Sequence, residues 1–313
     1  MSNYKNIADY IQQKRKQIDL TQEQLCQELS VFSPEFNDLD SLAISRWERG
    51  KVEPSLNRQV EIISYFGDQA YQIFTGKHFS SKNLPSMDAM NKLLEARTRF
   101  KHYMGAHPYL PKNQANYQRI CPPDELADRS CNHLSHYIDN LTAGLEQWDS
   151  QWLQSLQNTS GGLVSYYFYL GQLGGHSYAL KVKPVIFDQL LNGDMSETEL
   201  RPDMLASRKE PGYLYIFSIY TGRVQAINYI YEHIFATIVD DPSILHIGLR
   251  VRRDIAHIQL DNIPHYVTAL GPVSDNTSVG IKYQGKRYQY ICCQIERQAL
   301  INAPIFLNIL RNE

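Results

Sequence analysis

Apolar positions in the first third of the chain recur at helical spacing. Leu20, Leu25 and Leu29 fall on one side of a helix whose start is marked by Thr21 and, three residues on, Gln24, a capping-box pair. A second short helix is predicted from Asp40, an N-cap residue, through SLAISRWER, with Gly50 at the position of a left-handed C-terminal cap. Within it Ile44 and Trp47 face inward together, which turns Ser41, Leu42, Ser45 and Arg46 outward. A third segment follows Glu53-Pro54-Ser55 and carries Leu56, Val60, Ile63 and Phe66.

The texture then changes twice. From residue 77 to 161 the pattern is helical but broken by loops, with helices predicted over Met87–Met104 and Asp124–Gln157, the second interrupted, around a Pro- and Asn-rich stretch. Beyond residue 162, β-branched and aromatic runs alternate with helical segments. Strands are predicted at Leu163–Tyr169, Tyr178–Val182, Tyr213–Tyr220, Ile244–Val251 and His265–Leu270. Helices are predicted at Val185–Leu191, Arg223–Val239 and Asp254–Asn262. Gly171–Gly175 is expected as a turn, and Val279–Tyr283 with Tyr288–Cys293 as a hairpin around Gln284–Arg287. The predicted organisation is multidomain: an all-α domain at 1–76, a helical linker or dimerisation region at 77–161, and a mixed α/β (α+β) domain at 162–313.

Composition narrows the function classes. With 31 Lys+Arg against 33 Asp+Glu in 313 residues, coating of nucleic acid by bulk charge is excluded, while a small local reading face is not. The opening MSNYKNIADYIQQKRKQ has no apolar core of signal-peptide length, and the most apolar stretch, Ile227–Val251, is broken by charges and Pro242. The five cysteines are scattered without C-x-x-C spacing, which favours a reducing cytoplasm.

The strings LTQEQL (20–25) and ISRWERGKVEPS (44–55), after IADYIQQKRKQIDL, resemble the helix-turn-helix domain of the Cro and phage-repressor (XRE-type) family over residues 4–67. That resemblance implies a cytoplasmic transcription regulator, such as a repressor, on a double-stranded DNA operator. It also implies that the helix containing Ile44 enters the major groove. Ser41, Leu42 and Arg46 would then face bases, Arg46 offering a guanidinium to guanine O6 and N7. Gln22, Ser45, Arg49 and Lys51 would meet phosphates. Arg15 and Glu48 would pair inside the domain as a structural element. Two departures matter. Ser30–Leu39 lengthens the turn between the second and third helices by roughly eight residues. Its Val31, Phe32, Phe36 and Leu39 are expected to pack down, and its length bears on where Ser41 and Leu42 sit. Residues 1–76 also carry more acids than bases, so the basic groups (Lys14, Lys16, Arg46, Arg49, Lys51) must share a face, and a homodimer on a two-fold site is expected.

The C-terminal order of strands and helices loosely resembles the second half of an acyl-CoA N-acetyltransferase (GNAT-like) domain. That family carries R/Q-x-x-G-x-G/A after the corresponding strand, and Tyr220–Ala226 (YTGRVQA) lacks it, so acetyl transfer is not expected. The domain is expected to sense a small effector, with no cofactor. A DNA-tethered acyltransferase and an antitoxin-like, protein-binding regulator are the alternatives. Cys131, His133 and His136 form C-x-H-x-x-H without a persuasive fourth ligand, so no metal is expected. Arg250, Arg252 and Arg253 read as a solvated strand end, or as a basic lip for an anion. Cys292 and Cys293 point to opposite faces of a strand, with one in the core and a thiol-sensor role open. The tyrosines of the strands read as half-buried packing, or as the lining of a pocket.

Overall fold

The computed structural model describes residues 4–68, 70–74, 117–142, 148–221, 224–253, 260, 263–275, 280–303 and 306. The predicted helix Met87–Met104, the residues Gly222 and Arg223, and all of the predicted helix 254–262 except Leu260 lie outside them. Backbone contacts divide the chain into two units: Met1–Met90 with Phe235–Pro242 and Ile301–Glu313, and Asn91–Ile234 with Ser243–Leu300.

The first unit begins with α1 (Ile7–Gln17), α2 (Gln22–Phe32), α3 (Ser41–Glu48), α4 (Leu56–Tyr65) and the short α5 (Ala70–Phe74). Each of the first four starts on a side-chain cap. Asn6 accepts from the Asp9 N–H, Thr21 and Gln24 form the reciprocal capping box, Asp40 accepts from the Ala43 N–H, and Ser55 accepts from the Arg58 N–H. Between them Tyr10, Ile11, Leu25, Leu29, Phe36, Ile44, Val60 and Ile63 are buried. The residues between α2 and α3 form one 3-10 turn, Pro34–Phe36, and only part of the stretch packs down. Phe36 is fully buried and Leu39 half-buried, whereas Val31 is 90% exposed and Phe32 lies half out against the Tyr65 ring. Val31 sits on the solvent side of the last turn of α2, so the expectation that it packs inward fails on helix phase.

The second unit is built on a seven-stranded sheet in the order β1-β2-β3-β4-β5-β9-β6. Its strands are β1 (Tyr117–Ile120), β2 (Gly162–Tyr169), β3 (Gln172–Val182), β4 (Tyr213–Thr221), β5 (His246–Val251), β6 (Tyr266–Leu270) and β9 (Ile291–Glu296), and β7 (Ile281–Tyr283) with β8 (Lys286–Tyr288) forms a separate hairpin. β4 and β5 pair in parallel and the other neighbours are antiparallel. Its helices are α6 (Glu125–Thr142), α7 (Ser150–Gln157) and α8 (Pro184–Asn192), with α9 (Val224–Asp240) as far as Ile234 and α10 (Arg297–Ile301) as far as Leu300. α6 and α7 pack on β2, and α8 packs on β4, β5, β6 and β9.

The core of this unit follows the two periodicities. Ala127, Cys131, Leu134 and Ile138 of α6 recur at helical spacing, and Val164, Tyr166 and Phe168 of β2 alternate at strand spacing, all in one cluster with Tyr178, Leu180, Phe187 and Tyr215.

Several local readings change. Part of the stretch read as a helical linker is β1, an edge strand of this sheet, and the broken helix 124–157 is α6 and α7. The turn between β2 and β3 is Leu170–Gly171, both at positive φ, and Gly174 and Gly175 lie within β3 beside a bulge opposite Tyr167 and Phe168. The second hairpin turns at Gln284–Gly285, so Lys286 and Arg287 are strand residues and β9 is a separate strand. β9 runs between β5 and β6, and Cys292 and Cys293, which point to opposite faces, are both fully buried, so the sheet is covered on both faces there.

Candidate nucleic-acid interface

α3 presents the candidate face. Ile44 and Trp47 anchor it inward, while Ser41, Leu42 (49% exposed) and Arg46 are exposed and Ser45 is half-buried. The helix ends in a Schellman arrangement: the Gly50 N–H bonds the Trp47 carbonyl at 2.9 Å and the Lys51 N–H bonds the Arg46 carbonyl at 3.0 Å, with Gly50 at φ +64°. The tight turn brings Lys51, exposed, back beside the helix end. Arg49 is also exposed, and its Nε donates to the Ser45 carbonyl at 3.0 Å, so its guanidinium lies along the last turn.

Beneath this face lies a buried charge pair. Glu48, whose side chain is 1% exposed, accepts from Arg15 Nε at 2.5 Å and Nη2 at 2.9 Å. The third Arg15 donor, Nη1, reaches the Leu20 carbonyl at 2.6 Å and ties the end of α1 to the start of α2. Gln22 Nε2 donates at 2.7 Å to Glu48 Oε2, the oxygen that Arg15 Nη2 also reaches. Gln22, assigned to phosphate by resemblance, is therefore half-buried with its amide engaged by Glu48.

The stretch leading into α3 is pinned at three points. Cys26 Sγ donates to the Leu39 carbonyl at 3.2 Å, Ser30 Oγ donates to the Phe36 carbonyl at 3.0 Å, and Arg58 Nη2 donates to the Glu35 carbonyl at 3.2 Å. The long connection thus has one path and delivers Asp40 to its capping position. The exposed acids Asp38 and Asp40 stand at the N-terminal end of α3, and the cations Arg46, Arg49 and Lys51 stand toward the other end. A polyanion would be held along the C-terminal half of α3, leaving the Ser41 hydroxyl and the Leu42 side chain to make short-range contacts.

The other candidate constellations disperse. Cys131 is buried and within 3.6 Å of the Tyr166 hydroxyl, whereas His133 and His136 are exposed, and among the described residues no group of three His, Cys, Asp or Glu side chains converges. Burial pushes the Cys131 thiol up to about 11 and the Cys293 thiol up to about 12, so both stay protonated and unreactive at neutral pH. Arg250 and Arg252 are buried, which overturns their reading as a solvated strand end. Arg250 Nη2 donates to the Leu190 and Met195 carbonyls, and so holds the C-terminal end of α8. Arg252 pairs with the buried Glu197, which also accepts from the Tyr215 hydroxyl.

Glu197, His176 and Ser218 stand outside every motif legible in the sequence. His176 Nε2 and Ser218 Oγ are hydrogen-bonded at 2.8 Å across β3 and β4, with the ring edge-on to Tyr137. Burial holds the imidazole down to about 3, so it is neutral. A lone histidine inside a strand carries no spacing signal that would have singled it out.

Among the described residues no helix is long and apolar enough to cross a membrane. Neither a protein-family model nor a curated protein matches the chain.

Proposed function

We propose that the chain is a sequence-specific DNA-binding regulator in which α2 and α3 form a helix-turn-helix and α3 reads the major groove. The observation that carries this reading is the outward face of α3. Ser41, Leu42 and Arg46 are presented together, and Arg49 and Lys51 follow at the helix end, on a scaffold locked by Arg15, Glu48 and Gln22. Arg46 takes guanine as a bidentate pair, and Leu42 offers apolar contact to a thymine methyl. Arg49 and Lys51 hold phosphates and set register. One such face, with acids at its N-terminal end, binds weakly alone, so two copies act together on a two-fold operator. The α/β unit serves as a sensor: a small ligand that favours one spacing of the two α3 helices shifts operator affinity by its differential affinity for the two states. Selection of DNA from a random-sequence pool tests the reading. Wild type enriches a defined two-fold sequence, and an R46A selection that returns the same sequence would refute the base contact.

A second reading, a DNA-tethered acyltransferase, is favoured by one observation. Among the described residues the sheet has one parallel pair, β4 with β5, joined through α9, and its pairing stops at Ile216 and Leu249 although β4 continues to Thr221. An extended, amide-bearing acyl thioester laid along β4 beyond Ile216 is the ligand that this reading calls for. Calorimetric titration with acetyl-CoA tests it, and absence of saturable heat rules against it.

A further inference from the structure

The two edges of the seven-stranded sheet are built differently. β1, at one edge, is four residues long, carries Arg119, and is followed within three residues by Pro122 and Pro123. Short length, charge and proline are the devices by which sheet edges avoid pairing with other chains. β6, at the other edge, is also short, at five residues, and also has prolines just outside it, but unlike β1 it carries no charged side chain. The run Ile263–Ser274 (IPHYVTALGPVS) contains no Lys, Arg, Asp or Glu, and its prolines lie outside the strand. Tyr266 is 46% exposed, Leu270 44% and Val273 60%. Among the described residues β9 is the only strand that pairs with β6. The bulge between Val267 and Ala269 is the one irregularity in that pairing.

We propose that the β6 edge is an interface at which a second copy of this chain adds its own β6, antiparallel, so that the two sheets become continuous. A strand edge offers a row of backbone N–H and C=O groups, and what satisfies such a row is another extended strand. The composition of the run points to the chain itself as that strand. About a two-fold axis β6 faces its own copy, and with no charged residue from 263 to 274 no like charges come to lie opposite one another. Apolar side chains meet apolar side chains instead. Such pairing is closed, because each copy's β6 edge is consumed in forming it. Tyr266 is preordered for contact, since its hydroxyl donates to Glu296 Oε1 at 2.8 Å and fixes the ring on the sheet. The inference deepens the proposed function, which calls for two copies, but the surface is argued from the sheet alone.

Sedimentation equilibrium of the full chain from about 1 to 100 μM, with the exposed-site variant Y266K/L270K alongside, tests the proposal. Wild type sediments as a dimer, and the variant's dissociation constant rises by about tenfold or more, because two charges per copy enter a strand that carries none. Amide hydrogen exchange at 266–270 is correspondingly faster in the variant, while circular dichroism is unchanged. A wild-type monomer at the highest concentration overturns the proposal, as does a dimer whose dissociation constant and β6 exchange ignore Y266K/L270K. No DNA enters the measurement, so its failure is distinct from failure of the α3 reading, which Arg46 variants test.

Discussion

Removing Arg15 should unlatch the scaffold that presents α3. The Arg15–Glu48 side chains are 12% and 1% exposed, so solvent screens the pair little. In R15A the Glu48 carboxylate loses two charged donors at 2.5 and 2.9 Å and keeps one neutral donor, Gln22 Nε2 at 2.7 Å. The Leu20 carbonyl loses its Nη1 partner as well. Breaking a buried pair from one side costs about 3–5 kcal/mol, chiefly because the remaining charge is left uncompensated in low dielectric. Hydrogen exchange in the full chain reads this directly at the α3 amides of Ile44 to Trp47, which should exchange faster by about two to four orders of magnitude. Replacing both partners with apolar residues, in R15M/E48L, should restore most of the protection, since no buried charge then remains. An acceleration in R15A below about tenfold would refute the reasoning.

Two further outcomes follow from buried groups. The His176 imidazole sits at about 3 in the folded chain against an ordinary 6.5, so between those values the unfolded chain binds a proton that the folded chain does not. Stability is then full above pH 6.5 and falls as pH drops through that window, by about 1.4 kcal/mol per unit, or about 2 kcal/mol by pH 5. Urea unfolding at the two pH values checks this, and H176Q should lose that share of the pH dependence; parallel curves for the two proteins would count against it. G248A should lose about 1–3 kcal/mol in the same assay, because its new Cβ would lie 2.7 Å from Phe187 Cε2 and 3.0 Å from Leu191 Cδ1 in a packed layer. An unchanged urea midpoint would mean that the β5–α8 packing yields freely.

The local chemistry of the helices was legible residue by residue. The Thr21/Gln24 box, the Asp40 cap, the Gly50 terminus and the inward pair Ile44 and Trp47 all depend on neighbours within a turn or two. The strands at β2, β4 and β5 were legible as β-branched and aromatic runs for the same reason. What escaped depends on partners far along the chain. Cys292 and Cys293 are both buried because the sheet is covered on both faces at β9, which alternation along one strand cannot reveal. Arg252 is buried because Glu197, distant in sequence, meets it, and His176 because Ser218 stands on the adjacent strand. The exposed face of α3 was legible from helical phase alone, whereas the engagement of Gln22 by Glu48 needed the third dimension.

The central claim is that α3 reads bases through Arg46 and holds phosphates through Arg49 and Lys51. The most direct measurement is competition binding of a selected DNA against random-sequence DNA, across a salt series, for wild type, R46A and the double variant R49A/K51A. The account predicts that R46A loses about 1–3 kcal/mol of the preference for the selected DNA. R49A/K51A should instead weaken both DNAs alike and lower the salt slope by about 1 for each phosphate that is no longer neutralised. An R46A protein that retains the full wild-type preference would contradict it.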